Sequence, residues 1–172
     1  NYLQRARNHP KHLPLLMGIV NINAESFSDG GRFLSSGEFD EISFTQYLKE
    51  AMDSNIQILD IGAESTRPGA RPVSHEEEWG RLLPALKCSR SFFQGVLLKP
   101  LISLDTRHLE SIRRAVDYGV NWWNDVSGDL SSDKIEFLKG NSLKYVLTHS
   151  LGATVDPKKT LDPNQSVCSQ VK

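Results

Sequence analysis

The chain has 172 residues, a formal net charge of -1 at pH 7 and 38% hydrophobic residues. This length and balance predict one domain with a buried core, exclude a disordered chain and argue against a nucleic-acid-binding protein, which would carry a basic surplus. The first apolar run contains Pro14 and Gly18 and is too short for a signal peptide or a membrane span. Cys88 and Cys168 fit no metal or redox spacing, so a reduced, cytoplasmic chain is expected.

Patterns typical of buried strands alternate along the chain with patterns typical of amphipathic helices. The strands are predicted at residues 15–21, 56–63, 100–104, 121–126 and 144–148. Helical spacing of apolar residues predicts helices over residues 43–55, 74–86, 109–116 and 135–138, with the start of another at Val167. Ser74 and Glu77 stand at capping-box spacing, and Pro84 is expected to kink the helix that they begin.

This alternation predicts a parallel sheet, either open and doubly wound or closed into a barrel. Polar residues end at least four of the predicted strands: Asn21, Asp60 with Glu64, Asp105, and Asn124 with Asp125. An open sheet gathers its ligand groups at one switch point, whereas a barrel takes them from the ends of many strands. The pattern therefore favours an α/β fold of the (β/α)8 TIM-barrel type. Such barrels have eight strands and about 250 residues, so this chain is expected to supply about the first five βα units.

Several of these polar residues also have a structural explanation. Asp105 or Thr106 is a suitable N-cap for the helix that follows, and Asn124 is suited to a turn. Trp122 and Trp123 are adjacent, so they are expected to pack on opposite faces of one strand. On the residues alone, these alternatives stay open.

The loop after the second predicted strand is harder to explain as structural. Arg67 lies between Thr66 and Pro68, and the proline restricts the path of the chain beside it. A guanidinium group next to hydroxyl and backbone donors suits an anion such as phosphate or pyrophosphate. His149, at the end of the fifth predicted strand, is interpreted as a structural histidine. The loop therefore predicts an anion site beside groups able to pair with a heterocycle.

The strand-end motifs, taken together and in order, resemble one enzyme family. They are Met-Gly-Ile-x-Asn at 17–21 with Ser-Phe-Ser-Asp-Gly-Gly at 26–31, Asp-x-Gly-x-Glu-Ser-Thr-Arg-Pro-Gly at 60–69, Ser-x-Asp-Thr at 103–106 and Asn-Asp at 124–125. This set resembles dihydropteroate synthase over about residues 13–150. The resemblance implies a TIM barrel, usually a homodimer, that condenses 7,8-dihydropterin pyrophosphate with p-aminobenzoate. The products would be 7,8-dihydropteroate and pyrophosphate in folate biosynthesis, and the enzyme would be a sulfonamide target.

The same resemblance implies roles for individual residues. Asn21 would meet Mg²⁺ and pyrophosphate, and an amide oxygen is a suitable ligand for this hard cation. Arg67 would be catalytic, offsetting charge on the leaving pyrophosphate together with Mg²⁺. The pyrophosphate side and the p-aminobenzoate pocket would be formed by Phe27, Ser65, Thr66, Arg67 and Pro68.

The pterin ring would be read by Asp105 and Asn124. A carboxylate accepts paired N–H donors, and an amide both donates and accepts. Asp105 would also be catalytic, because its charge favours the electron-poor pterin that forms when pyrophosphate leaves.

The sequence departs from the family in its first loop and in its extent. Asn23, Ala24 and Glu25 replace a Thr, a Pro and an Asp, which should loosen the loop and affect turnover. No counterpart of the family's later pterin and phosphate motifs precedes Lys172. The chain is therefore expected to be the N-terminal part of a single pterin-binding barrel domain over 1–172, with an N-terminal extension at 1–12 and a loop and helix start at 152–172.

Two alternatives remain at this point. One is a non-catalytic pterin-binding relative or inactive half-barrel fragment, which the altered first loop and the missing motifs favour. The other is a pterin-using methyltransferase of similar barrel type. The matches at 26–31 and 65–69 disfavour the methyltransferase.

Overall fold

The computed structural model of the protein describes residues 14–23, 31–65, 70–148 and 160–170. Its strands are β1 (Met17–Asn21), β2 (Leu34–Ser35), β3 (Glu38–Phe39), β4 (Ile58–Gly62), β5 (Leu101–Asp105), β6 (Trp122–Asp125) and β7 (Lys144–Leu147). Its helices are α1 (Glu41–Asp53), α2 (His75–Phe92), α3 (Leu109–Ala115), α4 (Ser132–Lys139) and α5 (Val167–Gln170), and a 3₁₀ turn over Val116–Tyr118 follows α3. The five strands and five helices predicted from the sequence are confirmed, with shifted ends.

Five strands form one parallel sheet in the order β1-β4-β5-β6-β7. The register pairs Asn21 with Gly62, Gly62 with Asp105, and Asp105 with Asn124. Residues paired in a parallel ladder point to the same face of the sheet. The last residues of β1, β4 and β5, and the one before the last of β6, therefore form a single row across four strands, which is called the strand-end row below.

The two faces of this sheet differ in burial. One face packs against the helices, and its buried core includes Val20, Leu59, Ile61, Leu104, Trp123, Phe44, Leu48, Leu82, Leu86 and Ile112. The opposite face carries the strand-end row, and there Met17 is 41% and Ile19 64% exposed. Burial of the helix-facing side drives formation of the sheet. The other side is exposed along β1, whereas Asp60 of β4 and Ser103 of β5 are buried on it.

The helix ends follow from local capping. Asp40 accepts hydrogen bonds from the N–H groups of Ile42 and Ser43, both at 3.1 Å, so α1 begins before the predicted residue 43. The Ser74 side chain accepts from Glu77 N–H at 3.2 Å, which confirms the predicted start of α2. Pro84 lies inside α2 without ending it. Gly119, at φ +85°, ends the 3₁₀ turn after α3.

A short hairpin between β1 and α1 was not predicted. Its strands β2 and β3 pair antiparallel across Ser36 and Gly37, which have φ values of +53° and +87°. Positive φ at both central residues is typical of the tight turns that join such strands. The available signal was the Ser36-Gly37 pair, with the apolar residues Leu34 and Phe39 one position further out on either side. The ring of Phe39 packs edge-on against Phe44 of α1, with their centroids 5.2 Å apart, and ties the hairpin to the core.

The paired tryptophans and the cysteines agree with their structural interpretations. Trp123 is fully buried and Trp122 is half-buried on the other face, and the Trp123 indole N–H donates to the Thr106 carbonyl at 2.7 Å. Cys88 is buried on α2, Cys168 is exposed, and both are free. Across the described ranges, none of the helices has the length and apolar character needed to cross a bilayer.

Candidate functional site

The strand-end row places one polar pair directly beside Asp105. The Asn124 side-chain amide donates to Oδ2 of Asp60 at 2.9 Å, linking β6 to β4 across β5. Oδ1 of Asp60 and the hydroxyl of Ser103, its register partner on β5, are buried and have no hydrogen-bond partner among the described residues. Buried polar groups are normally paired, so unpaired groups on this face mark a place where a polar ligand can bind.

Asp105 ends β5 in the middle of this row. A side chain at Gly62 would place its Cβ 3.2 Å from the Cβ of Asp105, so the glycine leaves room for the carboxylate. No described residue donates a hydrogen bond to this carboxylate. Burial, and then repulsion from Asp60 and other nearby carboxylates, raises the pKa of Asp105 to about 7. A half-buried carboxyl group to which no described residue donates suits a ligand that supplies N–H donors.

The chemistry of the row fits the edge of a nitrogen heterocycle. Asp105 offers acceptor oxygens, and Asn124 offers an amide oxygen as well as its N–H donors. The hydrogen bond to Asp60 fixes which way the Asn124 amide points. The structure thus brings together two of the predicted site residues and adds Asp60, to which the sequence assigned no role.

Asn21 occupies the β1 end of the same row. It is half-buried, and its side-chain amide has no hydrogen-bond partner among the described residues. Mg²⁺ takes few protein ligands and keeps water and phosphate oxygens for the rest. An amide oxygen at the strand end that no described residue engages fits the predicted metal contact.

Asp125, the neighbour of Asn124, faces the opposite side of the sheet. Its carboxylate accepts from Lys134 Nζ of α4 at 2.6 Å, from Tyr145 Oη at 2.9 Å and from Ser127 Oγ at 2.6 Å. Asp125 is fully buried and Lys134 is 6% exposed. Burial and the Asp125 charge raise the pKa of Tyr145 well above its usual range. Asp125 therefore anchors α4 and does not belong to the site.

A second polar cluster lies beside the site, between β4, β5 and α2. Glu64 accepts two hydrogen bonds from Arg107, at 2.8 and 3.0 Å, and one from Val73 N–H at 3.0 Å. Burial raises the pKa of Glu64, but these hydrogen bonds outweigh it and hold the pKa below its usual range. This cluster was not predictable from the sequence, because Glu64 and Arg107 are 43 residues apart.

Glu78 of α2 extends this cluster. It is fully buried and accepts from the hydroxyls of Thr106, at 2.7 Å, and of Ser111. Burial raises the pKa of Glu78 despite these two donors. Ligand atoms of Glu64, Glu78 and His108 lie within 4.8 Å of one another. Arg107 already occupies both oxygens of Glu64, so the group is a hydrogen-bonded cluster and not a metal centre.

The structure supports neither of the two capping candidates. Helix α3 begins after His108, which is its N-cap residue, and no side-chain hydrogen bond caps it. Thr106 Oγ1 accepts from the N–H of His108 at 3.0 Å, in the turn before the helix. The expectation that Asp105 or Thr106 caps this helix is therefore wrong, and Asp105 makes no hydrogen bond to a described residue at the start of α3.

Some predicted site residues fall outside the described ranges. These are Phe27, Thr66, Arg67 and Pro68. His149, which was interpreted as a structural histidine, also lies outside the described residues. Ser65 is described, half-buried and next to Glu64. Of the three substituted residues of the first loop, Asn23 alone is described, and it is buried.

Comparison with known proteins gives consistent matches. The profile of the family described as "Pterin binding enzyme" matches residues 17–172. The chain is 34% identical over 159 residues to a folate synthesis bifunctional protein of Arabidopsis thaliana, covering 91% of this chain and 31% of that protein. Dihydropteroate synthase from Anaplasma phagocytophilum, with bound 6-hydroxymethylpterin-monophosphate, matches with a TM-score of 0.64 and 31% identity, covering 80% of this chain and 49% of that one.

A further solved structure is similar to the same extent. Dihydropteroate synthase from Xanthomonas albilineans with 4-aminobenzoic acid has a TM-score of 0.64 and 32% identity, covering 81% of this chain and 48% of that one. The chain thus spans less than half the length of each of these proteins. The matches confirm the predicted fold class: the five parallel strands are part of a (β/α)8 TIM barrel.

Proposed function

The chain belongs to the family of pterin binding enzymes, and on that premise we propose that the complete protein is a dihydropteroate synthase. It joins 7,8-dihydropterin pyrophosphate to p-aminobenzoate and releases pyrophosphate. Two solved relatives support these substrate classes, since one holds a pterin monophosphate and the other holds 4-aminobenzoic acid. Residues 1–172 would belong to one pterin-binding barrel domain of that protein.

The observation that carries this proposal is the strand-end row. Asp105, which no described residue satisfies, stands beside an Asn124 amide that Asp60 orients. An acceptor and an oriented amide on adjacent strands match the donors and acceptors along the edge of a pterin. Buried polar groups aligned in advance discriminate strongly for a ligand that satisfies them.

In the proposed reaction the bond between the pterin methylene carbon and the pyrophosphate oxygen breaks, and a bond from that carbon to the aniline nitrogen forms. The nitrogen then loses a proton. Asp105 accepts N–H groups of the pterin and favours the ring when pyrophosphate departs with the bonding electrons. Arg67 would contact the leaving group, and Ser65, Thr66, Pro68 and Phe27 would surround the p-aminobenzoate.

Asn21 would hold Mg²⁺ on the pyrophosphate side of the row. When bound, the cation supplies positive charge to the phosphate oxygens. We further propose that the protein is a homodimer located in the cytoplasm. The balanced charge of the chain and its free cysteines support that compartment.

A non-catalytic pterin-binding relative is the second candidate. The presence of Asn23, Ala24 and Glu25 in the first loop, in place of a Thr, a Pro and an Asp, favours this candidate. With these residues the loop would close differently over the substrates. The pterin contacts of the strand-end row would persist in such a protein.

The test is an assay of the complete protein with dihydropterin pyrophosphate, p-aminobenzoate and Mg²⁺. We expect stoichiometric release of pyrophosphate and formation of dihydropteroate, and no product when p-aminobenzoate is omitted. Binding of the pterin pyrophosphate without product would support the non-catalytic relative. If the protein neither binds the pterin pyrophosphate nor forms product, both proposals are refuted.

A further inference from the structure

The segment between β4 and α2 is held at both of its ends by side chains. Glu64 stands at its start and Val73 at its end, and the Glu64 carboxylate accepts the Val73 N–H at 3.0 Å. The Val73 carbonyl lies 3.0 Å from Nε2 of His108 and accepts from Arg107 Nη2 at 3.4 Å. This group of Glu64, Val73, Arg107 and His108 is called the loop clamp below.

The clamp supplies hydrogen-bond partners for the backbone of Val73. Val73 belongs to no helix or strand and is 5% exposed, so its backbone groups need partners from elsewhere. Side chains supply all of them: Glu64 takes the N–H, while His108 and Arg107 lie at the carbonyl. The carbonyl contact requires the His108 tautomer with a proton on Nε2.

Arg107 is the central member of the clamp. Its guanidinium group binds both oxygens of Glu64, at 2.8 and 3.0 Å, and also reaches the Val73 carbonyl. The side chains of Arg107 and Glu64 are 22% and 12% exposed, so water weakens this pair little. Only a planar fork of donors can make all three contacts at once.

The clamp connects two parts of the proposed active site. Arg107 follows Asp105 by two residues, and the segment that the clamp closes contains Ser65, Thr66 and Arg67. We propose that Arg107 and Glu64 are positioning residues, which fix the ends of the 65–72 loop relative to the pterin-contacting end of β5. This inference rests on the proposed function. The role of the clamp would be to align the residues that contact p-aminobenzoate and pyrophosphate with those that contact the pterin.

A matched control exists nearby, between two helices. Arg114 of α3 makes a bidentate pair with Glu76 of α2, at 2.9 and 2.7 Å. The side chain of Arg114 is 40% exposed, and its guanidinium group bonds to Glu76 and not to Glu64 or Val73. Arg107→Lys and Arg114→Lys therefore make the same chemical change, and only the first loosens the clamp.

The experiment compares steady-state kinetics of these two variants in the complete protein. We expect Arg107→Lys to raise the KM for p-aminobenzoate roughly tenfold, since small misplacements of substrate-positioning groups have large effects. The KM for the pterin substrate should change less, because Asp105 and Asn124 are untouched. Glu64→Gln should give the same pattern, and the double variant should be no worse than either single one, since each breaks the same contact.

Hydrogen exchange at the Val73 amide gives a second readout that does not need turnover. Arg107→Lys and Glu64→Gln should speed this exchange, while Arg114→Lys leaves it unchanged. If Arg107→Lys speeds exchange at Val73 but has the same steady-state kinetics as Arg114→Lys, the positioning role is overturned. If the unmodified protein makes no product, the proposed function fails. Equal exchange in Arg107→Lys and Arg114→Lys would then overturn the clamp separately.

Discussion

The carboxylate of Asp105 lies in a position that is unfavourable for the stability of the fold. It is partly buried beside Asp60, and the pKa of Asp105 is raised from 3.8 to about 7. The folded protein therefore binds a proton at Asp105 more tightly than the unfolded chain does. Stability from this group is present at low pH and is lost as the pH rises to about 7.

Replacing Asp105 with Asn removes the free-energy cost of keeping this carboxyl group ionised in the folded protein. The variant should therefore be more stable than the unmodified complete protein at about pH 8. Each pKa unit corresponds to about 1.4 kcal/mol, and partial contact with solvent lowers the effect, so we expect a gain of about 1 to 2 kcal/mol. Near pH 4, close to the ordinary pKa of 3.8 that the carboxyl group has in the unfolded chain, most of this cost is gone and the gain should be small. Urea unfolding at both pH values measures it, and a loss of stability at pH 8 would contradict the assignment.

Asn21→Ala tests the proposed metal contact. With the amide oxygen gone, the complete protein should need roughly tenfold more Mg²⁺ for half-maximal activity. Its melting temperature should stay nearly the same, because the side chain makes no hydrogen bond to a described residue. A Mg²⁺ titration of pyrophosphate release, with chelated protein as the starting point, gives the result. An unchanged Mg²⁺ requirement would remove Asn21 from the metal site.

Some of the site was predictable at the residue scale and some was not. Asp105 and Asn124 were noticed because polar residues ending buried strands are visible in the sequence, and the resemblance to dihydropteroate synthase supplied their expected role at the pterin. The Asn124–Asp60 hydrogen bond and the loop clamp were not, since their partners are 64 and 43 residues apart and meet only through the sheet register. The opposite directions of Asn124 and Asp125 follow from strand alternation once the register is known.

At the scale of single elements, a buried ion pair helps to hold α4 on the sheet. Lys134 joins it to Asp125 at 2.6 Å and lies 5.5 Å from the centre of the Trp123 ring. Removing one partner leaves a buried charge without its counter-ion, which typically costs about 3 kcal/mol. Lys134→Met should therefore destabilise the complete protein by about that amount.

Lys139 is the control for this prediction. It is an exposed lysine on the same helix, and Lys139→Met should change stability by less than about 0.5 kcal/mol. Thermal and urea unfolding of the two variants give the comparison. Equal effects would show that the Lys134–Asp125 pair does not stabilise the attachment of α4.

The helices and sheet strands were predictable because their apolar periodicity is long and regular. The β2–β3 hairpin was missed because each of its strands has two residues, too few to show alternation. Pro84 did not interrupt α2, whose apolar face packs on the core through Leu82 and Leu86. Tertiary packing of that face outweighs the unfavourable local preference of proline.

At the scale of the whole molecule, the sheet covers one face with helices and exposes apolar residues of β1 on the other. Ile19 is 64% and Met17 41% exposed on that face, and β1 and β7 stand at the two edges of the sheet. Open edges and exposed apolar surface promote association. A polypeptide consisting of residues 1–172 alone should therefore self-associate in sedimentation velocity experiments. A monodisperse monomer that unfolds cooperatively would show that this face needs no cover.

The most direct test of the account compares Asp105→Asn with Asp117→Asn in the complete protein. Asp117 is an exposed carboxylate in the 3₁₀ turn before β6, at the opposite end of the sheet from the strand-end row. The measurement is kcat/KM for dihydropterin pyrophosphate. We expect Asp105→Asn to lower it at least a hundredfold, since a charge-assisted contact to the reacting ring is lost, while Asp117→Asn leaves it unchanged. Equal activity of both variants would contradict the assignment of the strand-end row as the pterin site.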